Sequence, residues 1–341
     1  MAEYSLDRLK TDLKNRQPGS FYIFHGPEAY LRDHYLESLR KLLVEDFAEA
    51  FNYHRFSPET ISLQAVADSV NAIPMMSPTS MVRIDDVNFF AIGEDAADYA
   101  AIFSNLPSYC TVVLVYDTVE YKPDRRKKTI AEALDLAREV CFQQPSEREL
   151  ISWIARHFKK LGKQITVDDA VFLIRRTGGD MTTLSAEIEK LGAYETEPAV
   201  SRRSIELLVE PVLEAAVFDL SDAVAAGRYE TALQILHILL RRQEEPVVIL
   251  ATIGSQLRRI VEANRLRAAG KGKNDLMKLC SVSSYPAQKA MEFSRRLPAE
   301  FPEKAVELCL EADRRMKTSF DDPKRVLELL VLQLAEEAAH A

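Results

Sequence analysis

Six consecutive residues, Thr111-Val112-Val113-Leu114-Val115-Tyr116, are apolar or β-branched without a break. A strand with one wet face alternates polar and apolar residues. An uninterrupted run is buried on both faces, as in a parallel sheet covered by helices on each side. This constrains the first part of the chain to a layered α/β architecture. Shorter runs fit the same sheet: Phe21-Tyr22-Ile23-Phe24, Tyr53-His54-Arg55-Phe56, Met81-Val82-Arg83-Ile84 and Val140-Cys141-Phe142. Helical patterns over 30–46 and 61–72 fall between them. Alternating strands and helices predict a doubly wound parallel sheet over residues 1–143.

After Pro145 the pattern turns helical. Ser146 and Glu149 form a capping box ahead of Leu150, Ile151, Ile154 and Phe158, and Thr166 and Asp169 repeat the signal before Val171 and Ile174. Met181, Leu184, Ile188 and Leu191 share one helix face, and Gly178-Gly179-Asp180 joins two helices. These features predict a small helical domain over 144–210. From Pro211 to the end, 211–341, the pattern is long amphipathic helix. Ile249, Ile253, Leu257 and Ile260 make one stripe and Leu327, Leu330, Val331 and Leu334 another, with Gly270-Lys271-Gly272-Lys273 as a loop. Such stripes suit a bundle or an oligomer interface.

Glycine supplies only 11 of 341 residues, against a usual share of about 7%. That scarcity argues for a helical scaffold over an enzyme that wraps closely around phosphates. No apolar run approaches the roughly 18 residues needed to cross a bilayer. The N-terminal stretch MAEYSLDRLKTDLKNRQ has no signal-peptide core, so a cytoplasmic protein is expected. Cys110, Cys141, Cys280 and Cys309 form no CxxC pair, and free thiols are expected rather than disulfides or zinc ligands. The formal net charge of −8 does not draw nucleic acid to the surface as a whole, which leaves local basic patches.

The segment FHGPEAYLRD, 24–33, follows a strand and opens a helix, the position of a phosphate loop. In G-x-x-x-x-G-K-[ST], backbone amides cradle phosphate, lysine reaches it and the hydroxyl binds magnesium. Here Gly26 takes the first glycine position. Leu31 replaces the second glycine, Arg32 the lysine and Asp33 the hydroxyl. Leu31 brings a β-carbon where backbone must approach phosphate, and Asp33 adds a negative charge. ATP is therefore not expected to bind, and Gly26 reads as serving a turn. Asp85-Asp86 ends a strand as a magnesium-holding acidic pair does, but without the first loop a catalytic role is not expected.

Other chemistry is missing. There is no H-E-x-x-H and no G-x-S-x-G. His25, His34, His54, His157, His237 and His340 lack ligand spacing, and Trp153 reads as a core or near-core side chain on an amphipathic helix. No cofactor, metal or membrane partner is expected.

The chain resembles the delta subunit family of the bacterial DNA polymerase III clamp loader. The resemblance is carried by FYIFHGPEAYLRD (21–33), AIPMMSPTSMVRIDDV (72–87), TGGDMTTLSAEIEKL (177–191), the stretch 218–260 and EADRRMKTSFDDPKRVLELL (311–330). It implies an AAA+-like domain over 1–143 without ATPase activity, a helical lid domain over 144–210 and a helical collar domain over 211–341. It also implies a hetero-pentamer with ATP-hydrolysing gamma/tau-like and delta-prime-like subunits, which loads the sliding clamp (beta) on primed DNA at replication forks in the nucleoid. The chain lacks the Ser-Arg-Cys triplet by which related subunits offer an arginine finger. Thr182 lies near the position of a nucleotide-sensing arginine in active relatives.

The family's clamp-gripping element corresponds to Pro74-Met75-Met76-Ser77-Pro78. Met75 and Met76 match two bulky apolar residues that enter a pocket on the clamp, where some relatives carry leucine and phenylalanine. Packing inside their own domain is the competing reading. Arg258, Arg259, Arg265, Arg267, Lys271 and Lys273 form a basic segment that in a collar would meet DNA phosphate. Tyr285, in Ser283-Ser284-Tyr285-Pro286, lies near an aromatic that some relatives place against the DNA end. The alternatives are a divergent AAA+-like ATPase, or a helical adaptor unrelated to replication.

Overall fold

The central strands of the sheet form at uninterrupted apolar runs, and their two faces are covered by different helices. The computed structural model describes residues 5–89, 96–282, 284–298 and 300–340. The first four residues of the polar N-terminal stretch and Ser283 lie outside the described residues. The chain divides into two units, Met1–Gln144 and Pro145–Ala341.

The first unit runs α1 (Leu6–Lys14), β1 (Phe21–His25), α2 (Ala29–Leu43), a 3-10 turn at Asp46–Ala48 and α3 (Glu49–Asn52). It continues with β2 (Tyr53–Phe56), α4 (Leu63–Asn71), β3 (Ser80–Asp85), α5 (Ala96–Ser104), β4 (Cys110–Val115), α6 (Lys128–Leu136) and β5 (Arg138–Cys141). The five strands are parallel in the order β2-β3-β4-β1-β5. The doubly wound sheet is therefore as expected. Its alternation is internal: Phe21, Ile23, Val112 and Leu114 enter one core with Val66, Val70, Phe103, Ile130 and Leu134. Tyr22, Phe24, Val113 and Val115 enter the other with Leu9, Leu36, Leu39 and Leu43. Successive residues of a strand point to opposite faces, so a strand between two apolar layers has no polar position. This accounts for the run in β4.

Some differences are local. The pattern over 30–46 ends at Leu43, where Val44 becomes extended. Helix α1 was not expected; Ser5 caps it by accepting from the Arg8 amide, and Leu9 anchors it in the core. The short α3 was not expected either.

The second unit is helical: α7 (Glu147–Lys160), α8 (Val167–Thr177), α9 (Met181–Tyr194) and α10 (Arg202–Leu208), then α11 (Leu213–Ala225), α12 (Tyr229–Arg241), α13 (Pro246–Ala268), α14 (Lys273–Cys280), α15 (Ser284–Arg296), α16 (Phe301–Thr318) and α17 (Pro323–His340). The capping box forms, with the Ser146 amide donating to Glu149 at 2.8 Å and the Glu149 amide to Ser146 Oγ at 3.4 Å. Gly178 ends α8 in the left-handed region and Asp180 caps α9. Both stripes of the C-terminal region lie in one core drawn from α11 to α17. The loop at 270–273 is shorter than expected, because Lys273 already begins α14 behind Gly272. All four cysteines are free, Cys110 and Cys309 buried; burial pushes their thiols up to about 11 and about 12. Trp153 is buried against His157. Among the described residues no helix is long and apolar enough to cross a membrane.

Leu114 is 1% exposed at the centre of the sheet. Leu114→Ala is expected to cost about 2–5 kcal/mol of stability, measurable as a lower denaturant midpoint by circular dichroism.

Candidate functional site

The loop expected to grip a partner joins α4 to β3. Two helices more than expected precede it, because α1 and α3 add to the count. Ile73, Met75 and Met76 are 80%, 54% and 74% exposed, and Pro74 is half-buried. The methionines are therefore not packed inside their own unit. The loop is nonetheless held. Asn52, buried at the end of α3, accepts from the Met75 amide and donates to the Met75 carbonyl, each at 2.8 Å. Thr79 Oγ1 donates to the Leu43 carbonyl at 2.5 Å. Met76 has φ +58°, a conformation uncommon for any residue but glycine and sustained only by surrounding contacts. Phe47 and Phe51, just before Asn52, are also exposed. Two flexible thioether side chains on a fastened loop can fill an irregular apolar pocket.

The β1–α2 turn joins a strand to a helix, as a phosphate loop does, but is occupied by its own side chains. Gly26 has φ +114°, and a β-carbon there would lie 2.5 Å from the Phe142 carbonyl oxygen. The glycine thus serves the turn's close approach to the chain following β5. The Glu28 amide donates to that same carbonyl at 3.0 Å, and the Phe142 amide to His25 at 2.7 Å. Glu28 caps α2, its carboxylate accepting from the Tyr30 amide at 3.2 Å. A helix N-terminus attracts anions, and here the anion belongs to the chain. Arg32, only 2% exposed, ion-pairs with Asp117 and donates to the Gly26 carbonyl at 3.2 Å and the Tyr116 carbonyl at 3.5 Å. Leu31 packs at the edge of the core, and Asp33 is exposed on α2. Asp33 therefore lies within the helix, and Glu28, which has no place in the phosphate-loop pattern, supplies the carboxylate at its start.

The acidic pair at the end of β3 is likewise engaged. Asp85 accepts from Arg55 and Arg83, each at 2.6 Å. Asp86, at φ +54°, accepts from the amides of Asp117, Thr118 and Val119 at 2.7, 2.9 and 3.2 Å and from Thr118 Oγ1 at 2.9 Å. It organises the 117–119 turn that also supplies the partner of Arg32. Burial opposes the charge of Asp86, but these hydrogen bonds outweigh it and hold the carboxyl below the ordinary aspartate value.

The expected DNA-facing residues separate. Arg258 is exposed on α13. Arg259 is 8% exposed, pairs with Glu214 at 2.7 Å and lies over the Phe218 ring. A phosphate contact by Arg259 would require breaking that pair, so its charge does not face solvent as the basic run implied. Tyr285 is half-buried, its ring 5.4 Å from Phe218 and 5.1 Å beneath the Arg175 guanidinium. Burial pushes its hydroxyl up. The ring is thus engaged within the second unit and does not stand free to stack on a base. Arg267 and Lys271 are exposed, and Arg265 pairs with Glu262 at 2.8 Å. Thr182 is exposed on α9. Among the described residues no group of three or more acidic, histidine or cysteine side chains could hold a metal ion.

The lowered carboxyl of Asp86 fixes a sign. Its contribution to stability is present above the ordinary aspartate value of 3.8 and is lost as pH falls through the lower folded value. Asp86→Asn is therefore expected to be less stable than wild type at pH 7, with the difference shrinking in denaturant melts taken down toward pH 3.

Comparison with known proteins bears on the whole chain. The family model described as "DNA polymerase III, delta subunit" matches residues 22–143, and that for the C-terminal domain of the same subunit matches 214–334. DNA polymerase III subunit delta of Bacillus subtilis is 26% identical over 334 residues, covering 94% of each chain. A probable DNA polymerase III subunit delta of Aquifex aeolicus is 22% identical, covering 86% of this chain and 84% of its own. Among solved structures, the DNA clamp loader delta protein of Bacillus subtilis superposes with a TM-score of 0.66 at 23% identity, covering 96% of this chain and 98% of its own, a likeness of fold. Two family models in the right order, and relatives alike over nearly their full length, assign this chain to the DNA polymerase III delta subunit family, within the clamp-loading machinery of DNA replication.

Proposed function

We propose that this chain is the clamp-gripping, non-hydrolysing subunit of its loader. The observation that carries this reading is the pair Met75 and Met76, exposed on a loop whose backbone is fastened by a buried side chain. The occupant is the sliding clamp, whose apolar pocket takes both side chains and whose ring interface the loader then opens. ATP hydrolysis belongs to gamma/tau-like partners in a pentamer that also holds a delta-prime-like subunit. The self-occupied β1–α2 turn supports that division of labour, since Arg32 and Glu28 already fill the roles of cation and anion there. The residues 144–210 act as a lid domain and 211–341 as a collar domain. Primed DNA meets the collar through Arg258, Arg267 and Lys271 rather than through the paired Arg259 or the packed Tyr285. The working place of such a loader is the replication fork, in the cytoplasm at the nucleoid.

Burying one methionine side chain contributes about 1.5–3 kcal/mol, and about 1.4 kcal/mol is tenfold in affinity. Met75→Ala/Met76→Ala is therefore expected to weaken binding to the sliding clamp by roughly two orders of magnitude or more, with the folded circular dichroism spectrum kept. Surface plasmon resonance with the full chain checks this. Binding unaffected by the double change would move the contact elsewhere, and no binding by wild type would favour the adaptor reading.

Titration with ATP and magnesium is expected to give no saturable heat. Binding of nucleotide to the isolated chain would favour the divergent ATPase instead.

A further inference from the structure

The clamp-gripping loop is fastened by a side chain that belongs neither to the loop nor to the core proper. Asn52 is 0% exposed, and both ends of its carboxamide are used on one residue, Met75. A carboxamide presents a donor and an acceptor side by side. Here they meet the carbonyl and the amide of the same backbone residue, as a paired strand would. The rotated amide would set like against like at both contacts, so the two partners fix its orientation. Aspartate would lack the donor, and leucine of similar size would lack both groups. Burial of an amide without partners is costly, and this one is satisfied by the loop itself. The next residue, Met76, holds its left-handed backbone immediately beyond the fastened point.

We infer that Asn52 is the positioning residue of the clamp contact. By holding the Met75 backbone it keeps the two thioether side chains projecting together, and clamp affinity depends on it although its own side chain reaches no partner. This inference rests on the clamp-gripping reading. With the pair removed, the loop spreads over many conformers, and the apparent dissociation constant rises by the reciprocal of the competent fraction. The loss falls mainly on the association rate, because the contacts made once bound are unchanged.

The test compares the full wild-type chain with Asn52→Leu and Met75→Ala/Met76→Ala, using surface plasmon resonance on the sliding clamp and NMR hydrogen exchange at the Met75 amide. In wild type that amide is expected to exchange slowly. In Asn52→Leu it should lose protection while the amides of the parallel sheet keep theirs. Clamp affinity should fall about tenfold or more, chiefly through slower association. The inference is overturned if folded Asn52→Leu binds the clamp as wild type does, or if its Met75 amide stays protected while binding weakens. It is equally overturned if the wild-type Met75 amide exchanges freely. Should Asn52→Leu fail to fold, Asn52→Ala, which removes both the acceptor of the Met75 amide and the donor to its carbonyl, carries the same readouts and the same criteria. A wild-type chain that does not bind the clamp removes the clamp-gripping reading itself. Wild-type binding lost in the methionine variant but kept in Asn52→Leu removes only the role of Asn52.

Discussion

Two-sided burial of β1 and β4 is the constraint from which the rest of the first unit follows. Neither strand has a wet face, so helices must cover both sides of the sheet, and the connections between strands must pass over its ends. The β1–α2 turn, the turn after β3 and the 117–119 segment all follow the C-terminal ends of parallel strands. In open α/β sheets that edge is where ligands bind. Here the same edge is occupied by the chain's own polar groups, with Arg32, Asp86 and Asp117 as its principal members.

The site proposed for partner binding lies on a different principle. It needs no cavity and no charge, only apolar side chains outside the core and a backbone that does not move. The sheet supplies the rigidity indirectly, through α3 leading into β2 and through Thr79 just before β3. The second unit divides its arginines in a comparable way. Arg259 shares the broad buried face of α13 with Gln256, Ile260 and Ala263, whereas Arg258 lies one step around the helix and is exposed.

What could be read in advance was whatever repeats locally. The central strands β1 and β4 are visible as apolar runs, and the cap at Ser146 and the face Met181-Leu184-Ile188-Leu191 follow from spacing alone. The exposed methionines were legible only through resemblance, since two adjacent apolar residues read equally well as core. Helix α5, AADYAAIFS, carries too few polar residues to show a face. The fastenings of the site were not legible, because they join residues with no fixed spacing. Asn52 and Met75 are 23 positions apart, and Arg32 and Asp117 are 85. Helical spacing puts Arg258 opposite the stripe of α13 and Arg259 at its flank, but the Glu214 and Phe218 that engage Arg259 have no fixed spacing from it.

The guanidinium of Arg32 has a consequence for what this chain could become. It is part of the support of the turn, so exchanging it for a lysine that reaches outward would first withdraw donors from two backbone carbonyls and a partner from Asp117. Glycine in place of Leu31 would loosen the opening turn of α2, and Glu28 would still hold the helix end against an incoming anion. Each step toward a working phosphate loop therefore passes through a weaker protein before any nucleotide can repay it. The turn acts as a ratchet against the return of a phosphate loop.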